Sequence, residues 1–251
     1  MQTSSLVQAL FDLCKKAFLP SGPAPSPAAI NKLCSLLDTF KPIDVGLNED
    51  ALEQDRGYGF FGQNIQRNRH SAMVARWSQP VTYLHIYECD SFTIGIFCLP
   101  TSAVIPLHDH PGMIVLSKLL YGSMHVKAYD WVDPVDLERN SDRSQSRLAK
   151  LKVDTVITAP RGPSVLYPTT GGNIHSFTAV TSCAVLDVLA PPYSDTAGRH
   201  CTYYRDYPYS CFPGKLTENT VEDQGYAWLE VDSMNDFFVR GGKYTGPRVE
   251  T

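Results

Sequence analysis

Helical spacing of apolar residues dominates the N-terminal part of the chain. Apolar residues recur every three or four positions along a helix predicted over residues 4–19, at Leu6, Leu10, Leu13 and Ala17. Pro20 ends this helix, and a second helix is predicted to start with Ser26 as its N-cap and Pro27 in its first turn. Residues 1–42 are therefore predicted to form a helical segment that packs on a larger body.

A different pattern begins at Val81, where short runs of β-branched and aromatic residues alternate with turn residues. The runs include VTYLHIYE, FTIGIFCLP, MIVLSKLLYGSMHVKAYDWV, KLKVDTVITAP and CAVLDVLAP. Because no helical period separates them, the region is predicted to be mainly β, as an antiparallel sandwich or barrel. Residues 43–251 are interpreted as one domain. Residues 41–80, at its start, are predicted to be irregular, 132–146 is predicted to be an exposed loop, and the C-terminal fifth is predicted to wrap the barrel.

Composition narrows the range of partners. The chain has 22 Lys plus Arg against 26 Asp plus Glu, a net charge of −4, so nucleic acid is not expected as the main partner. The sequence contains no run of about 18 apolar residues, so no membrane-spanning helix is predicted. The N-terminus lacks the features of a secretory signal. Seven scattered cysteines without a Cys-x-x-Cys pair indicate reduced thiols in the cytoplasm or the nucleus. A monomer is expected.

The candidate chemistry is concentrated in the segment LHDHPG. Residues i and i+2 of a β-strand point to the same face, about 6.5–7 Å apart. If the segment is a strand, His108 and His110 both reach one metal ion from the barrel interior, while Asp109 points away. The alternative is a pair of surface histidines before the turn at Pro111 and Gly112.

A second motif, GGNIH, places His175 at the start of a strand, 65 residues beyond His110. Together the two motifs resemble the layout of the cupin superfamily, whose fold is a double-stranded β-helix or jelly-roll barrel. In that layout a Glu ligand follows the His-x-His pair and an Asn trails the second motif. This chain has Val115 at the Glu position and Ala179 at the Asn position.

The missing carboxylate changes the chemistry that is expected of the site. Three neutral imidazoles leave a divalent metal its full charge and three adjacent open positions, which favours an anionic soft ligand such as a thiolate beside dioxygen. Zinc hydration centres also use three histidines. The ligand count therefore leaves both chemistries open.

A closer resemblance covers the chain from roughly Phe40 to the C-terminus. The runs IPLHDHPGMIVLSKLLYGSMHVKAYDW, GGNIHSF, CAVLDVLAPPYS and RHCTYYRDYP resemble plant cysteine oxidases, relatives of the cysteamine (2-aminoethanethiol) dioxygenases. The resemblance implies a non-haem dioxygenase with one Fe(II) per chain, held by His108, His110 and His175. It also implies that O2 converts the N-terminal cysteine of target proteins to cysteine sulfinic acid. The implied targets are transcription factors of the ethylene-response class, which thereby enter the N-degron pathway.

Four further residues are candidates for supporting roles. Asp187 interrupts an apolar strand, and it either orients an imidazole or binds the substrate ammonium, or else faces outward. Tyr193 either points its hydroxyl at dioxygen or substrate, or packs the barrel mouth. Cys201 and Tyr203 match a Cys-x-Tyr pair that can form a thioether crosslink in related enzymes; the alternative is an unmodified cysteine packed near the pocket.

The remaining histidines are interpreted as structural or solvated. His85 and His125 are predicted to be satisfied barrel residues, and His70 and His200 to be solvated. Cys89, Cys98 and Cys183 are predicted to act as small core residues. Three other functions stay open: a dioxygenase of free cysteine or cysteamine, a non-oxidative zinc or nickel cupin, and a non-catalytic binding module.

Overall fold

The computed structural model describes residues 5–20, 22–48, 80–132, 146–211, 225–233 and 237–251. Most of the two segments predicted to be irregular, 41–80 and 132–146, therefore lies outside the described residues. The part of 41–80 that is described contains a short 3-10 helix, Pro42–Val45. No helix among the described residues is long and apolar enough to span a membrane.

Both predicted N-terminal helices are present. Helix α1 spans Leu6–Ala17, and the Ser5 side chain caps it by accepting a 3.1 Å hydrogen bond from the backbone N–H of Gln8. Helix α2 spans Pro27–Asp38 and is capped in the same way by Ser26, with proline at its first position. These caps satisfy N–H groups that have no partner within the helix, which is why the sequence signals located both starts well.

The described part of the chain contains twelve strands, which form two six-stranded sheets. Their bounds are β1 Val81–Glu88, β2 Thr93–Leu99, β3 Val104–His108, β4 Ile114–Tyr121, β5 Ser123–Trp131, β6 Ser146–Thr158, β7 Ser164–Leu166, β8 Ile174–Ala179, β9 Cys183–Ala190, β10 Tyr204–Pro208, β11 Tyr226–Val231 and β12 Val239–Gly242. The first sheet has the order β12-β1-β2-β9-β4-β7, and the second has the order β10-β11-β6-β5-β8-β3.

The strand order defines a jelly roll. Within the eight consecutive strands β2 to β9, the first sheet contains β2-β9-β4-β7 and the second contains β3-β8-β5-β6, all paired antiparallel. This interleaving of two Greek keys is the double-stranded β-helix topology of cupins. The predicted fold class, a mainly β cupin-type barrel with a small N-terminal helical cap, is confirmed.

The first sheet separates two cores. Its outer face packs on α1 and α2 through residues such as Leu186 and Val188 of β9 and Leu116 of β4. Its inner face, which includes Val185 and Leu119, packs against the second sheet. The boundary predicted at residues 42 and 43 stays a prediction, although the helices and the sheet contribute to one continuous core cluster.

Candidate metal centre

Three histidines converge inside the barrel. His108 is the last residue of β3 and pairs in register with His175 on β8, and His110 lies two residues beyond that strand. The ring centroids lie 4.9 Å apart for His108 and His110, 4.7 Å for His108 and His175, and 4.9 Å for His110 and His175. One potential ligand atom from each residue lies within 4.8 Å of the other two, and all three residues are buried.

The strand-period prediction is wrong in one respect. It required His110 to share a strand with His108, whereas β3 ends at His108 and the ladder with β8 already shifts register between Ile105 and His108. Asp109 nevertheless points away as expected. Its carboxylate accepts hydrogen bonds from the backbone N–H of Thr202 at 2.9 Å and from the Tyr204 hydroxyl at 2.9 Å.

Hydrogen bonds fix which ring nitrogens of two of these histidines carry protons. Nδ1 of His108 lies 2.8 Å from the Pro106 carbonyl oxygen, which can only accept, so Nδ1–H donates and Nε2 keeps its lone pair. The Tyr193 hydroxyl donates to the Asp109 carbonyl at 2.7 Å and therefore accepts from Nδ1–H of His110 at 2.8 Å. Nε2 of His110 is consequently free as a ligand.

Burial keeps all three rings neutral. Loss of solvation is the largest cause that lowers the pKa of His108, His110 and His175, and the neighbouring imidazoles lower it further for the last two. Nε2 of His110 and Nδ1 of His175 are buried without a hydrogen-bond partner among the described residues. Neutral imidazoles with an unpartnered nitrogen are what a divalent metal ion requires, so the triad fits a metal cofactor.

No carboxylate or thiol of the described residues joins this cluster. Val115, at the position where a Glu ligand was sought, is fully buried in an apolar cluster with Leu166 and Leu189. The donor set is therefore three uncharged nitrogens. A divalent ion held there keeps its charge for an anionic ligand such as a thiolate.

Asp187 lies on the inner face of β9, so the outward-facing alternative is excluded. Alternate residues of β9 pack outward on the helices, which places Asp187 inward with Val185 and Leu189. It pairs across the sheet with Gly95 on β2 and Ser117 on β4. Burial raises its pKa to about 7, against a hydrogen bond from Ser117 that lowers it, and its Oδ1 has no partner among the described residues.

A partly open cavity of about 110 Å³ lies between the two sheets. Its walls include His175 from the second sheet and Ser117, the hydrogen-bond partner of Asp187, from the first. The space beside His175 therefore reaches Ser117, on the wall that carries the acid.

Tyr193 was expected either to point its hydroxyl at dioxygen or substrate, or to pack the barrel mouth. Its ring packs against the apolar cluster that contains Val115, Leu166 and Leu189. Its hydroxyl bridges Nδ1 of His110 and the carbonyl of Asp109, and so holds the imidazole from behind. The reason is that the buried hydroxyl finds an acceptor and a donor in the metal motif itself, which satisfies both of its hydrogen-bonding functions.

Cys201 and Tyr203 lie directly against the first metal motif. Tyr203 forms a β-bridge with His108, and their rings are 6.2 Å apart. The Cys201 thiol is free and hydrogen-bonds to the hydroxyls of Tyr193 and Tyr203, while burial raises its pKa. The thioether crosslink stays a prediction.

The sequence analysis did not identify two residues that support the metal motifs, Asn173 and Asp130. The Asn173 side chain hydrogen-bonds to the backbone of His110, and the Asp130 carboxylate accepts from the backbone N–H groups of Gly171, Gly172 and Asn173. The glycine pair before Asn173 marked a turn, but nothing local indicated what the turn would hold.

The other three histidines among the described residues, His85, His125 and His200, do not join the triad. His125 is partly exposed and pairs with Asp154 at 2.7 Å, which agrees with its interpretation as a satisfied barrel residue. His200 is mostly exposed, as predicted, although it pairs with an aspartate, and His85 is exposed on β1. His70 lies outside the described residues.

Comparison with known proteins covers most of the chain. The family model PCO_ADO matches residues 36–249. Plant cysteine oxidase 1 of Arabidopsis thaliana is 48% identical over 97% of this chain and 80% of the relative, and plant cysteine oxidase 2 of the same species is 50% identical over 97% and 83%. Human 2-aminoethanethiol dioxygenase is 35% identical over 68% of each chain.

Solved structures give weaker likenesses. An RmlC-like cupin from Desulfovibrio desulfuricans has a TM-score of 0.31 at 22% identity, over 51% of this chain and 99% of the other. A cupin superfamily protein from Desulfitobacterium hafniense has a TM-score of 0.32 at 10% identity, over 51% and 94%. The strand order, rather than these partial likenesses, defines the fold.

Proposed function

The chain belongs to the PCO_ADO family of thiol dioxygenases, and on that premise we propose that it oxidises the N-terminal cysteine of target proteins to cysteine sulfinic acid with O2. The chain is a dioxygenase-type oxidoreductase of the cupin fold, with a triad that fits a metal. The proposed cofactor is one Fe(II), held by His108, His110 and His175. One observation carries the proposal: a triad without a carboxylate shares the barrel interior with a buried acid that has one unpartnered oxygen.

The iron, when bound, supplies the redox chemistry by which both atoms of O2 pass to the substrate sulfur. The thiolate becomes a sulfinate, so the sulfur is oxidised, dioxygen is reduced and no further reductant is needed. The protein contributes neutral ligands that leave the metal charge to attract the thiolate, and it lowers the thiol pKa through that charge. The hydrogen bond from His110 to Tyr193 holds one ring in the tautomer that binding requires.

Asp187 supports a substrate with a free amine. Its Oδ1 is buried and unpartnered on the inner wall of the first sheet, where a substrate ammonium would provide the missing charge. A bound ammonium would lower the pKa of this carboxyl from about 7 and keep it ionised at neutral pH. A free ammonium next to a thiol occurs at an N-terminal cysteine and in small aminothiols, but not at an internal cysteine.

The likeness to the plant cysteine oxidases supports a cysteinyl substrate for the proposed reaction. The plant cysteine oxidases match 97% of this chain, whereas human 2-aminoethanethiol dioxygenase matches 68%. We propose ethylene-response-type transcription factors as targets and oxygen-dependent entry into the N-degron pathway as the outcome. We also propose that the protein acts as a monomer in the cytoplasm, the nucleus or both.

A second candidate function is the oxidation of cysteamine or free cysteine. The likeness to human 2-aminoethanethiol dioxygenase supports it, and Asp187 would bind the ammonium of either small thiol in the same way.

The deciding experiment is mass spectrometry of a peptide with a free N-terminal cysteine after aerobic incubation with the Fe(II)-loaded protein. We expect the gain of two oxygen atoms, both derived from labelled O2, and no gain for the same peptide with an acetylated amine. His175→Ala should abolish the reaction, and the matched control His125→Ala, on a histidine outside the triad, should retain it.

Lack of oxidation with iron bound would refute the peptide substrate, and oxidation of cysteamine or free cysteine would then support the second candidate. Lack of oxidation of every thiol would refute the proposed dioxygenase function for this chain.

A further inference from the structure

We propose that Asn173 is a positioning residue that sets the distance between the two metal-binding motifs. Its side-chain carboxamide replaces the pair of backbone hydrogen bonds that a continued β-ladder would make to His110. The inference rests on the proposed metal site. It concerns the residues directly after β3, where the regular pairing with β8 ends and the last histidine of the first motif is positioned.

The ladder between β3 and β8 predicts which residue should face His110. His108 pairs with His175 in an antiparallel register, so continuing that register would place Ile174 opposite Asp109 and Asn173 opposite His110. In a hydrogen-bonded antiparallel pair, two residues exchange both of their N–H···O bonds through the backbone. Here β3 has already ended, and the backbone N–H of Asn173 donates to Asp130 at 3.1 Å instead.

The side chain of Asn173 makes both of the missing bonds. Its Oδ1 accepts from the backbone N–H of His110 at 3.1 Å, and its Nδ2 donates to the backbone carbonyl of His110 at 3.0 Å. The carboxamide thus acts as a peptide group inserted between the two chains. His110 is therefore joined to the start of β8 through a side chain rather than through the backbone ladder, and its ring lies beside those of His108 and His175.

A third hydrogen bond fixes the orientation of the amide. Nδ2 also donates to the Tyr167 carbonyl at 2.8 Å, so both of its hydrogens have acceptors. A flipped amide would oppose its oxygen to two carbonyls and its NH2 to the His110 N–H. Asn173 is only 6% exposed, which makes each of these bonds costly to lose.

The other end of this connection is anchored to β5. Gly171 and Gly172 have φ values of +89° and +82°, and a Cβ on Gly172 would lie 2.7 Å from that of Ala128. This turn directs three successive N–H groups at the Asp130 carboxylate, at 3.1, 2.8 and 3.1 Å. Asn173 is therefore fixed from behind by β5 while it holds His110 in front.

The test measures metal binding rather than turnover. Asn173→Leu keeps the approximate volume and removes all three side-chain hydrogen bonds, and Asn173→Ala opens space for water to replace some of them. We expect Asn173→Leu to weaken Co(II) binding by about 10-fold or more and to change the visible spectrum of bound Co(II), with Asn173→Ala intermediate. Co(II) serves as the probe because its absorption bands report the geometry of its ligands.

Leu33→Ala provides the matched control for loss of stability. Leu33 of α2 is fully buried in the core that the helices share with the outer face of the first sheet, a cluster that contains none of the three histidines. It should lower the melting temperature while leaving the Co(II) affinity and spectrum unchanged. Should Asn173→Leu fail to fold, the Asn173→Ala comparison stands alone.

Two results would overturn the inference: wild-type Co(II) affinity and spectrum in the folded Asn173 variants, or equal weakening in Leu33→Ala. The proposed function fails in a different way, if the wild-type protein itself binds neither Co(II) nor Fe(II), or if His175→Ala binds them equally well.

Discussion

The two faces of strands β4 and β9 bury opposite charges in opposite ways. Lys118 points to the helix side, where its ammonium contacts Asp38 Oδ1 at 2.7 Å and the carbonyls of Asp38 and Arg161 at 3.3 and 2.6 Å. Asp187, one strand away on the barrel side, has a partner in Ser117 but leaves Oδ1 without one among the described residues. A buried charge with all its partners stabilises a contact, whereas an incompletely paired one is a candidate for binding a ligand.

This difference indicates that the helix side of the first sheet contributes to stability, whereas the barrel side contributes to the candidate binding site. The Lys118 ammonium joins the C-terminal end of α2 to the sheet and to the turn after β6, and so fastens the helical cap. Asp187 sits in an equally dry environment without that compensation, which raises its pKa to about 7. The cost of burying it is consistent with selection for a bound partner rather than for folding.

The largest expected effect is a pH-dependent stability difference between metal-free wild type and Asp187→Asn. Since the folded-state pKa of Asp187 is about 7 and its usual value is 3.8, the folded state holds a proton that the unfolded state has released. Wild-type stability should therefore fall, relative to the variant, by on the order of 4 kcal/mol as pH rises from about 4 to 7, then stay level. Urea unfolding of both proteins across this pH range measures the difference in free energy of unfolding. The prediction would be contradicted if this free energy depended on pH in the same way in the two proteins.

Next in size is the loss of activity in Asp187→Asn. If Asp187 binds the substrate ammonium, neutralising it should reduce kcat/KM for an N-terminal cysteine peptide by on the order of 100-fold. The metal content should be unchanged, because the carboxyl does not belong to the histidine cluster. Steady-state oxidation assays with iron quantified in each sample check this, and an unchanged kcat/KM would remove Asp187 from the substrate site.

Lys118→Met should give the opposite pattern. The substitution keeps the apolar stem but leaves the Asp38 and Arg161 carbonyls without their donor. The free energy of unfolding should therefore fall by about 2 kcal/mol. The exposed side chain of Asp38 can be hydrated, which limits the loss. Activity of the folded variant should match that of the wild type. Reduced activity at temperatures well below unfolding would show that the helix side also influences the site.

The smallest of these effects is expected for Tyr193→Phe. Loss of the hydroxyl removes the hydrogen bond that selects the His110 tautomer and fixes its ring, so metal affinity should fall by about 10-fold. The Cys201 thiol would lose one partner, with little effect on stability. Competition with a chelator under anaerobic conditions measures the affinity, and Tyr203→Phe serves as the control because Tyr203 makes no hydrogen bond to a histidine among the described residues.

Local signals served the sequence analysis well. Ser26 and Pro27 identified the start of α2, because capping and φ restriction act within one turn. The β-branched runs identified most strands for the same reason, and GGNIH correctly placed His175 at the start of β8. Each of these features depends on neighbours a few residues away, and the sequence shows those directly.

Long-range contacts were beyond the sequence. Period-two spacing put His110 on a strand, but β3 stops two residues earlier and a carboxamide 63 residues away holds it instead. For Tyr193 the sequence left two alternatives open, a hydroxyl directed at substrate or a ring packed at the barrel mouth, and neither included the hydrogen bond to Nδ1 of His110 that the fold creates.

The sequence by itself determined the residue types of this protein: three histidines with valine at the position of the usual carboxylate ligand, an acid in an apolar strand, and two capped helices before a β-rich region. Only the tertiary structure decided which side of the first sheet each buried charge faces, and which groups complete its hydrogen bonds. The physical reason is that residue chemistry and local periodicity are properties of the chain, whereas burial, pKa and hydrogen-bond satisfaction depend on what distant strands bring into contact.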